Sequence, residues 1–596
     1  MADSNLLYTR ADLSVETLLS EIDSGATGLP KMQRKFVWKD AKVRDLLDSM
    51  IKGYPVGFII TWEAPGSTTS HPIGTEHHAY PTQNKLIIDG QQRLTSLYSV
   101  FRGKEIEDAD FHKRRILISF NPLTKTFEVA TPALEKSPEW IYSISDVFLR
   151  DSQYQTTKEF IEKLTDRREK SGSKLTDEEI KTISDNIVAL FDLRKYLLPT
   201  LVISANADEE DVSHIFVMIN SGGTKLTEAD FILTLISVHW DQGRDLIEEF
   251  CADTKKHNSE GRKDICNPII DFDPGDVVRT VMAFGFHRAR LKYAYKLLHG
   301  ADFDKRGAIS EELREKRFAI FEEKLRQTID RDEFNEFLKC IVAAGYCDRS
   351  LIGSKTNIIF AYAFYLIGKY EYKLNGSQLR KIISKAIFFF SLTSRYVGSF
   401  ESQMEQDMLN LPEEKTPEAF QNYFDNMAKS VLTDDFFKVT LIGMDGLETS
   451  SSRSPAFLAY IASQNILQAH VLLSKPSLQT ATLYAEWAQG RRKSVECHHL
   501  FPKAYLRTLG LRQKEINQVA NYAFIEWTTN LDISDTAQNI YFSQMTKDMD
   551  SEAIAKMEEE NALPSGWENM NYNDFLSLRR QKMAETIKAG INFLNH

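Results

Sequence analysis

The sequence predicts an α+β multidomain protein in which an α/β domain comes first, an all-helical region follows, and a strand–strand–helix domain comes last. Three observations predict this order. A buried strand leads through a turn into a helix over residues 85–97, apolar residues recur at helical spacing over residues 237–430, and two short strands precede a helix over residues 494–545. We therefore divide the 596 residues into domains 1–236, 237–432 and 433–596, near the usual domain size of about 150 residues.

The composition is that of an ordinary globular protein, with 42% of residues apolar and 26% charged. A net charge of −11 argues against attraction of the whole surface to nucleic acid, so any such binding must be local. The longest nearly uncharged apolar block, residues 358–368, is shorter than the ~18 residues that cross a bilayer, and the N-terminus lacks a signal-peptide pattern. Five cysteines without a CxxC pair indicate reduced thiols. We expect a cytoplasmic protein with no membrane partner.

The first domain contains a turn suited to phosphate binding. Residues 85–89 read as a buried strand, and residues 90–97 as a tight turn that opens a helix. Free N–H groups at the helix start attract anions, Gly90 lets the backbone approach, and Arg93 has the fork geometry that grips phosphate oxygens. Asp89, at the strand end, is placed to hold a metal or a water. An ordinary strand–turn–helix with Arg93 paired to a carboxylate is the alternative, and composition alone favours it.

A second helix of this domain is predicted to begin at an Asp40 cap and to stop at Gly53. Its predicted apolar face consists of Val43, Leu46, Leu47, Met50 and Ile51. Cations at or before the helix start oppose its dipole unless an anion neutralises them, and a phosphate is one candidate. These cations are Lys31, Arg34, Lys35 and Lys39, of which we interpret Lys39 as simply solvated.

The middle region reads as consecutive helices without a repeat, and its aromatic residues are interpreted as core. The predicted helices are Asp276–Leu298, Glu311–Ala344, Asn357–Leu374 and Gln378–Phe400. Residues 443–455 are rich in Gly and Ser, so we predict a flexible loop or linker there, with an interdomain hinge in or just before it.

The last domain carries two adjacent histidines at the end of a strand, His498 and His499, followed by Asn521 and Asn530. These are the groups needed to hold one divalent metal beside one proton acceptor, which is what phosphodiester cleavage requires. Ser534 and Asp535 are predicted to cap the following helix. The alternative is that the His and Asn side chains only satisfy one another in a polar hairpin.

The pattern His498-His499-Leu500-Phe501-Pro502 resembles the HNH (ββα-metal) nucleases, in the variety whose first motif reads HHxFP. The resemblance implies that His499 is the general base, that His498 binds a divalent metal such as Mg or Mn, and that Asn521 in the second strand orients the loop of the base. It also implies that Asn530 completes the metal site, with Asn539 as the substitute.

The segment IIDGQQRLTSL, residues 87–97, resembles the signature of GmrSD-type domains, which are related to ParB and sulfiredoxin. Residues 29–57 and 214–230 fit two further motifs of that family, although Met32 stands where an aromatic residue usually precedes the Gln33–Arg34 pair. The resemblance implies a ParB/sulfiredoxin-like fold that binds and hydrolyses a nucleoside triphosphate, GTP or ATP, and senses modified DNA. The implied nucleotide residues are Asp89, Gly90, Gln91, Gln92, Arg93 and Thr95, with Asp89 and Arg93 also catalytic.

The two resemblances together predict a modification-dependent (type IV) DNA endonuclease that defends against foreign DNA. The expected partners are modified double-stranded DNA and a nucleotide, with a homodimer left open. The predicted DNA-binding residues are Gln33, Arg34, Lys35, Arg491, Arg492 and Lys503. The alternative from a different class is a nucleotide-responsive DNA-binding or regulatory protein whose nuclease motif is inactive.

Overall fold

The computed structural model of the chain describes most of its residues. They are 7–30, 36–63, 70–71, 85–108, 112–170, 172–207, 232–233, 236, 240–257, 261–298, 300–302, 308–444, 446–474, 478–484, 495–533 and 536–595. The chain forms two compact units, Met1–Asp245 and Leu246–His596. The predicted boundaries after residues 236 and 432 differ from this division, since the second falls inside a unit, and the assignment of three domains stays a prediction.

The first unit is built around a six-stranded mixed sheet with helices packed on it. The strands of the whole unit, inside and outside that sheet, are β1 (Tyr8–Ser14), β2 (Thr27–Pro30), β3 (Ile59–Trp62), β4 (Ser70–His71), β5 (Lys85–Asp89), β6 (Ile106–Glu107), β7 (Lys113–Arg114), β8 (Ile118–Asn121), β9 (Thr126–Val129) and β10 (Leu197–Ile203). Its helices are α1 (Val15–Asp23), α2 (Asp40–Ile51), α3 (Gln91–Arg102), α4 (Pro132–Lys136), α5 (Ile144–Arg150), α6 (Gln153–Lys170) and α7 (Asp177–Asp192).

The six strands lie in the order β1-β10-β3-β5-β2-β4, with β5 antiparallel to β3 and parallel to β2. The three central side chains of β5 are fully buried, as the apolar run predicts. Ile87 faces the main core, which includes Leu94 and Leu97 of α3, while Leu86 and Ile88 face a smaller core on the other side of the sheet. The predicted strand–turn–helix over residues 85–97 is confirmed and places Asp89 and the start of α3 at the C-terminal end of the inner strand β5.

Helix α2 matches its predicted span, but the predicted cap is wrong. Its N-cap is Lys39, without a side-chain hydrogen bond, and Asp40 is already helical. The Asp40 carboxylate instead accepts a hydrogen bond from Arg114 at 2.6 Å. At the other end, Gly53 has φ +74° and donates its N–H to Met50, as a glycine stop requires.

The second unit is mostly helical. Its first helices are α8 (Asp241–Lys255, which begins before the unit boundary), α9 (Pro274–Phe286), α10 (Leu291–Leu298), α11 (Glu311–Thr328), α12 (Arg331–Ala343), α13 (Lys355–Tyr370), α14 (Gly376–Thr393), α15 (Phe400–Leu409) and α16 (Pro417–Val431). Later come α17 (Pro455–Ile466), α18 (Lys503–Thr508), α19 (Gln513–Ile516), α20 (Trp527–Ile533), α21 (Gln538–Thr546), α22 (Ser551–Glu560) and α23 (Tyr572–Phe593). The described residues of this unit also form two antiparallel strand pairs, β11 (Ala301–Asp302) with β12 (Ala308–Ile309), and β13 (Val495–His499) with β14 (Tyr522–Glu526).

Three of the four long helices predicted in this region are in fact interrupted. The first ends at His287, whose φ of +50° is left-handed, and the second is divided where Asp330 caps α12 by accepting from two backbone N–H groups. The fourth ends at Ser394, with φ +51°. Apolar residues keep their helical spacing across each break, so a prediction based on this spacing alone joined helices that are separate in the structure. The remaining prediction, Asn357–Leu374, corresponds to α13.

Residues 443–444 and 446–454 form turns and bends, as a loop requires, but contacts within the second unit hold this segment in place, so it is not a linker between units. Leu447 is fully buried and donates its N–H to Leu441, and the Thr449 carbonyl accepts from Val519 at 2.8 Å. The segment leads into α17, which packs against both α14 and the C-terminal helix α23. The hinge expected here therefore has no support.

The sheet of the first unit and the many helices of the second confirm the predicted α+β class. No helix in the described part of the chain combines the length and apolar composition needed to span a bilayer.

Candidate functional site

The two histidines lie at the end of β13, which pairs antiparallel with β14. The register places His498 opposite Ala523 and His499 opposite Tyr522. Helix α20 follows β14 directly, so a strand, a strand and a helix meet at one point. The helix predicted to follow Ser534 and Asp535 is α21, which begins at Gln538 with Ala537 as its N-cap, and the two predicted cap residues lie outside the described residues.

His498 and Asn530 face each other in this arrangement. The imidazole Nδ1 lies 2.8 Å from the Asn530 Oδ1. The other ring nitrogen, Nε2, is buried without a hydrogen-bond partner among the described residues. Burial lowers the pKa of His498, and the hydrogen bond to Asn530 opposes this only in part. A divalent cation that takes both facing atoms as ligands needs the lone pair of Nδ1, so the ring hydrogen then lies on Nε2. A neutral imidazole nitrogen and an amide oxygen are donors that such a cation binds.

The site offers a metal two protein ligands rather than a closed cage. Among the described residues, no group of three or more His, Cys, Asp or Glu side chains is arranged to hold an ion. Mg²⁺ and Mn²⁺ tolerate this, because they commonly keep waters and take oxygens from substrate phosphates. Asn539 is exposed on α21, and no bond joins it to His498 in the described structure, so Asn530 is the amide that the geometry brings to the histidine.

His499 has a different environment. Its Nε2 lies 3.1 Å from the Asn517 Oδ1, and its ring contacts the Tyr522 ring edge-on at 4.8 Å between centroids. Burial lowers the pKa of His499 to about 4; the Asn517 bond opposes this in part, and electrostatic interactions with Lys503 and His498 lower it further. The imidazole is therefore neutral at pH 7, which is the state that a proton acceptor requires.

Asn521 clamps the loop that follows His499. It is fully buried in a turn of 3-10 helix just before β14, rather than within the second strand as expected. Its Oδ1 accepts the Phe501 N–H at 2.8 Å, and its Nδ2 donates to the carbonyls of Phe501 at 3.2 Å and Ile516 at 3.3 Å. The side-chain amide of Asn521 thus holds the backbone that follows His499.

A buried layer that the motif spacing does not reveal supports the site. The Tyr541 hydroxyl donates to the Leu500 carbonyl at 2.9 Å, and the Tyr541 ring packs edge-on against His498. Arg579 on α23 is 1% exposed and donates to the Ala520 carbonyl at 2.9 Å, next to Asn521. The Phe501 ring packs among aromatic rings, namely Trp567, Tyr572 and Phe575. Sequence reasoning did not connect Tyr541, Arg579 or the ring partners of Phe501 with the site, because they lie 40 or more positions from the histidines.

Basic side chains flank the histidines on the surface. Helix α18 begins right after Pro502, and Lys503 at its start is exposed and close enough to lower the pKa of His499. Arg507 is exposed on the same helix. The predicted DNA-binding residues Arg491 and Arg492 lie outside the described residues.

The first unit holds the turn predicted to bind a phosphate. Gly90 has φ +93°, which only glycine adopts without strain, and α3 starts at Gln91 without a side-chain cap. A Cβ at Gly90 would collide with Ile59, so the turn lies tight against β3. The start of α3 has no side-chain cap, and a helix N-terminus is in general a place where an anion can bind.

Arg93 is engaged by the protein itself. It donates to the carbonyls of Val56 at 3.1 Å and Phe58 at 2.7 Å, and it pairs with Asp89 at 3.1 Å. Gly57, with φ +94°, has no room for a Cβ because the Arg93 guanidinium occupies that space. The carboxylate pairing anticipated as the alternative is therefore present, and the guanidinium acts as a clamp on the loop before β3.

The remaining side chains of the turn are largely buried. Gln92 accepts the Val37 N–H at 2.9 Å, Gln91 is buried beside it, and the Thr95 hydroxyl is buried without a partner among the described residues. Other predicted residues of this domain, namely Gln33, Arg34, Lys35 and the motif at 214–230, lie outside the described residues.

Comparison with known proteins gives two findings. An uncharacterized protein of Methanocaldococcus jannaschii is 22% identical over 633 aligned positions, which span 96% of this chain and 97% of that protein. Residues 15–237 match the family model described as the GmrSD restriction endonuclease, N-terminal domain.

Proposed function

We propose that this protein is a metal-dependent HNH endonuclease that cuts modified double-stranded DNA in defence against foreign DNA. The observation that carries the proposal is the arrangement at the end of β13. His498 faces the Asn530 amide oxygen at 2.8 Å, while the adjacent His499 is neutral and held separately by Asn517. One position thus has the character of a metal ligand and its neighbour that of a base. The similarity of residues 15–237 to a restriction endonuclease domain supports DNA as the substrate.

In this proposal His498 and Asn530 hold a divalent ion, Mg²⁺ or Mn²⁺. When bound, the ion stabilises negative charge on the scissile phosphate and on the leaving oxygen. His499 takes the proton of the attacking water, which its lowered pKa allows at neutral pH. Asn521 fixes the backbone of Phe501 and so keeps His499 at a set position next to the phosphate.

The DNA backbone is proposed to approach over α18. Lys503 and Arg507 are exposed there, and the overall charge of −11 restricts electrostatic attraction to such local clusters. Arg491, Arg492, Gln33, Arg34 and Lys35 remain proposed contacts on the basis of sequence alone.

The first unit is proposed to bind GTP or ATP and to license cutting. The support is the uncapped start of α3 behind Gly90, where Gln91 and Gln92 open the helix. Since Arg93 already bonds to two carbonyls and to Asp89, we assign the phosphate to the backbone N–H groups and not to the guanidinium. Asp89 and Thr95 remain candidates for a metal or water contact.

The alternative function is a nucleotide-responsive DNA-binding or regulatory protein whose HNH motif is inactive. A plasmid assay distinguishes the two. Full-length protein is incubated with plain supercoiled plasmid and with plasmids carrying defined modifications, with Mg²⁺ or Mn²⁺, with and without GTP or ATP. His499→Ala is compared with His257→Ala, which removes an imidazole exposed elsewhere in the second unit.

The proposal predicts metal-dependent cutting by the wild type and by His257→Ala, with a preference for modified DNA. His499→Ala should lose about 10²–10⁴-fold in rate, as expected for removal of a general base. Binding of DNA without any cutting would support the regulatory alternative instead. Equal cutting by folded His499→Ala would refute the assignment of His499 as the base.

A further inference from the structure

Asn517 provides the polar contact of His499 in the described structure. Its Oδ1 lies 3.1 Å from His499 Nε2, and the same oxygen accepts from the Gln513 side-chain Nε2 at 2.9 Å. An amide oxygen can only accept hydrogen bonds. The His499 Nε2 in this contact therefore carries the proton, and Nδ1 is the ring nitrogen with a free lone pair.

Hydrogen bonds hold both the carbonyl and the N–H of the peptide bond that joins Ile516 to Asn517. The carbonyl of Ile516, in the peptide that leads into Asn517, accepts from the Asn521 Nδ2 at 3.3 Å and from the Tyr572 hydroxyl at 3.1 Å. The Asn517 N–H donates to the Gln513 carbonyl at 3.0 Å. Because Tyr572 belongs to the C-terminal helix α23, the Asn517 side chain is held against a packed scaffold.

These contacts give Asn517 a role separate from that of Asn521. The Asn521 side chain bonds to the backbone of Phe501, two residues after His499, whereas the Asn517 side chain bonds to the His499 imidazole itself. The first fixes where the ring is, and the second fixes which of its nitrogens bears hydrogen. A base with the wrong tautomer in the right place cannot accept the proton.

We infer that Asn517 is a positioning residue of the proposed nuclease: it holds the Nε2–H of His499, so that Nδ1 takes the proton from the attacking water. This inference rests on the proposed function and names a residue outside the HHxFP and Asn521 pattern. In the step, the water oxygen bonds to phosphorus, its proton passes to Nδ1, and the bond from phosphorus to the leaving oxygen breaks. Asn517 stays neutral and gives up no proton.

Full-length variants test the inference by separating turnover from binding. Asn517→Leu removes the acceptor oxygen at similar size, and Asn517→Asp retains an acceptor oxygen for Nε2–H. The matched control is Asn569→Leu, the same substitution at an exposed asparagine whose side chain donates a hydrogen bond to the neighbouring Glu568. For each protein, kcat and KM for plasmid nicking are measured in Mn²⁺, together with the thermal unfolding temperature.

We expect Asn517→Leu to lower kcat by about 10- to 100-fold, as for loss of a partner that orients a functional histidine, without a change in KM. Asn517→Asp should restore most of the kcat, which a merely structural role would not explain. Asn569→Leu should match the wild type.

A wild-type kcat in Asn517→Leu, a loss confined to KM, or an Asn517→Asp variant as slow as Asn517→Leu would overturn the inference. These outcomes are distinguishable from failure of the proposed function. If the wild type cuts and His499→Ala does not, while Asn517→Leu cuts normally, only the role of Asn517 is refuted. If His499→Ala also cuts normally, the nuclease assignment fails with it.

Discussion

Replacing Asn521 with alanine should destabilise the second unit through two specific atoms. The amide holds the Phe501 N–H and the Phe501 carbonyl, and Phe501 is 1% exposed, so water cannot replace the lost bonds. Its third partner, the Ile516 carbonyl, keeps the hydrogen bond from the Tyr572 hydroxyl. Each buried group left unsatisfied costs about 1–3 kcal/mol, so two groups give a loss of roughly 2–6 kcal/mol in the free energy of unfolding.

Asn521→Asp sharpens the test. An aspartate still accepts the Phe501 N–H, but its second oxygen faces the carbonyls of Phe501 and Ile516, where the amide had donors. We therefore expect Asn521→Asp to be destabilised as well, since a buried carboxylate opposite carbonyl oxygens is unfavourable.

Urea unfolding of the full-length protein measures the effect as a shift of the midpoint at constant slope. Asn569→Ala, at an exposed position, serves as the control. Equal midpoints for Asn521→Ala and Asn569→Ala would refute the idea that this amide holds the loop of the base.

Other predictions concern the first unit and DNA binding. Gly57→Ala and Gly53→Ala both place alanine at positive φ, at a cost of about 1–2 kcal/mol. Gly57→Ala should lose more in thermal unfolding, because its Cβ meets the Arg93 guanidinium whereas nothing lies near Gly53; equal losses would contradict the clamp. Arg93→Ala should lower the stability of the first unit by roughly 2–4 kcal/mol in the same measurement, because two backbone carbonyls and a carboxylate lose their donor. Lys503→Ala should reduce the slope of log affinity for DNA against log salt by about 0.9, the value for one phosphate contact; an unchanged slope would remove Lys503 from the interface.

Local sequence signals predicted the elements whose cause is local. The strand and helix over residues 85–97 follow from an apolar run, a glycine and a helical repeat, and the hairpin of the histidines follows from two short strands. The helix breaks at His287 and Asp330 were not predictable from periodicity, because single polar residues end a helix without interrupting its apolar spacing.

The long-range contacts of the two sites could not be predicted from the sequence. The fork of Arg93 suggested a phosphate, but its partners are carbonyls 35 and 37 positions earlier in the chain, brought near only by the sheet. The contact of Asn517 with His499 spans 18 positions, and that of Arg579 with Ala520 spans 59. Such pairs depend on how helices pack around the hairpin, and no spacing rule encodes them.

The central claim is a division of labour between neighbouring histidines, and manganese binding measured beside plasmid cutting tests it most directly. Mn²⁺ is titrated into full-length wild type, His498→Ala, Asn530→Ala and His499→Ala, with free Mn²⁺ followed by electron paramagnetic resonance and nicking measured on the same samples. We predict that His498→Ala and Asn530→Ala lose the tight Mn²⁺ site and the cutting together, whereas His499→Ala binds Mn²⁺ like the wild type and does not cut. Normal Mn²⁺ binding by His498→Ala, or normal cutting by His499→Ala, would contradict the account.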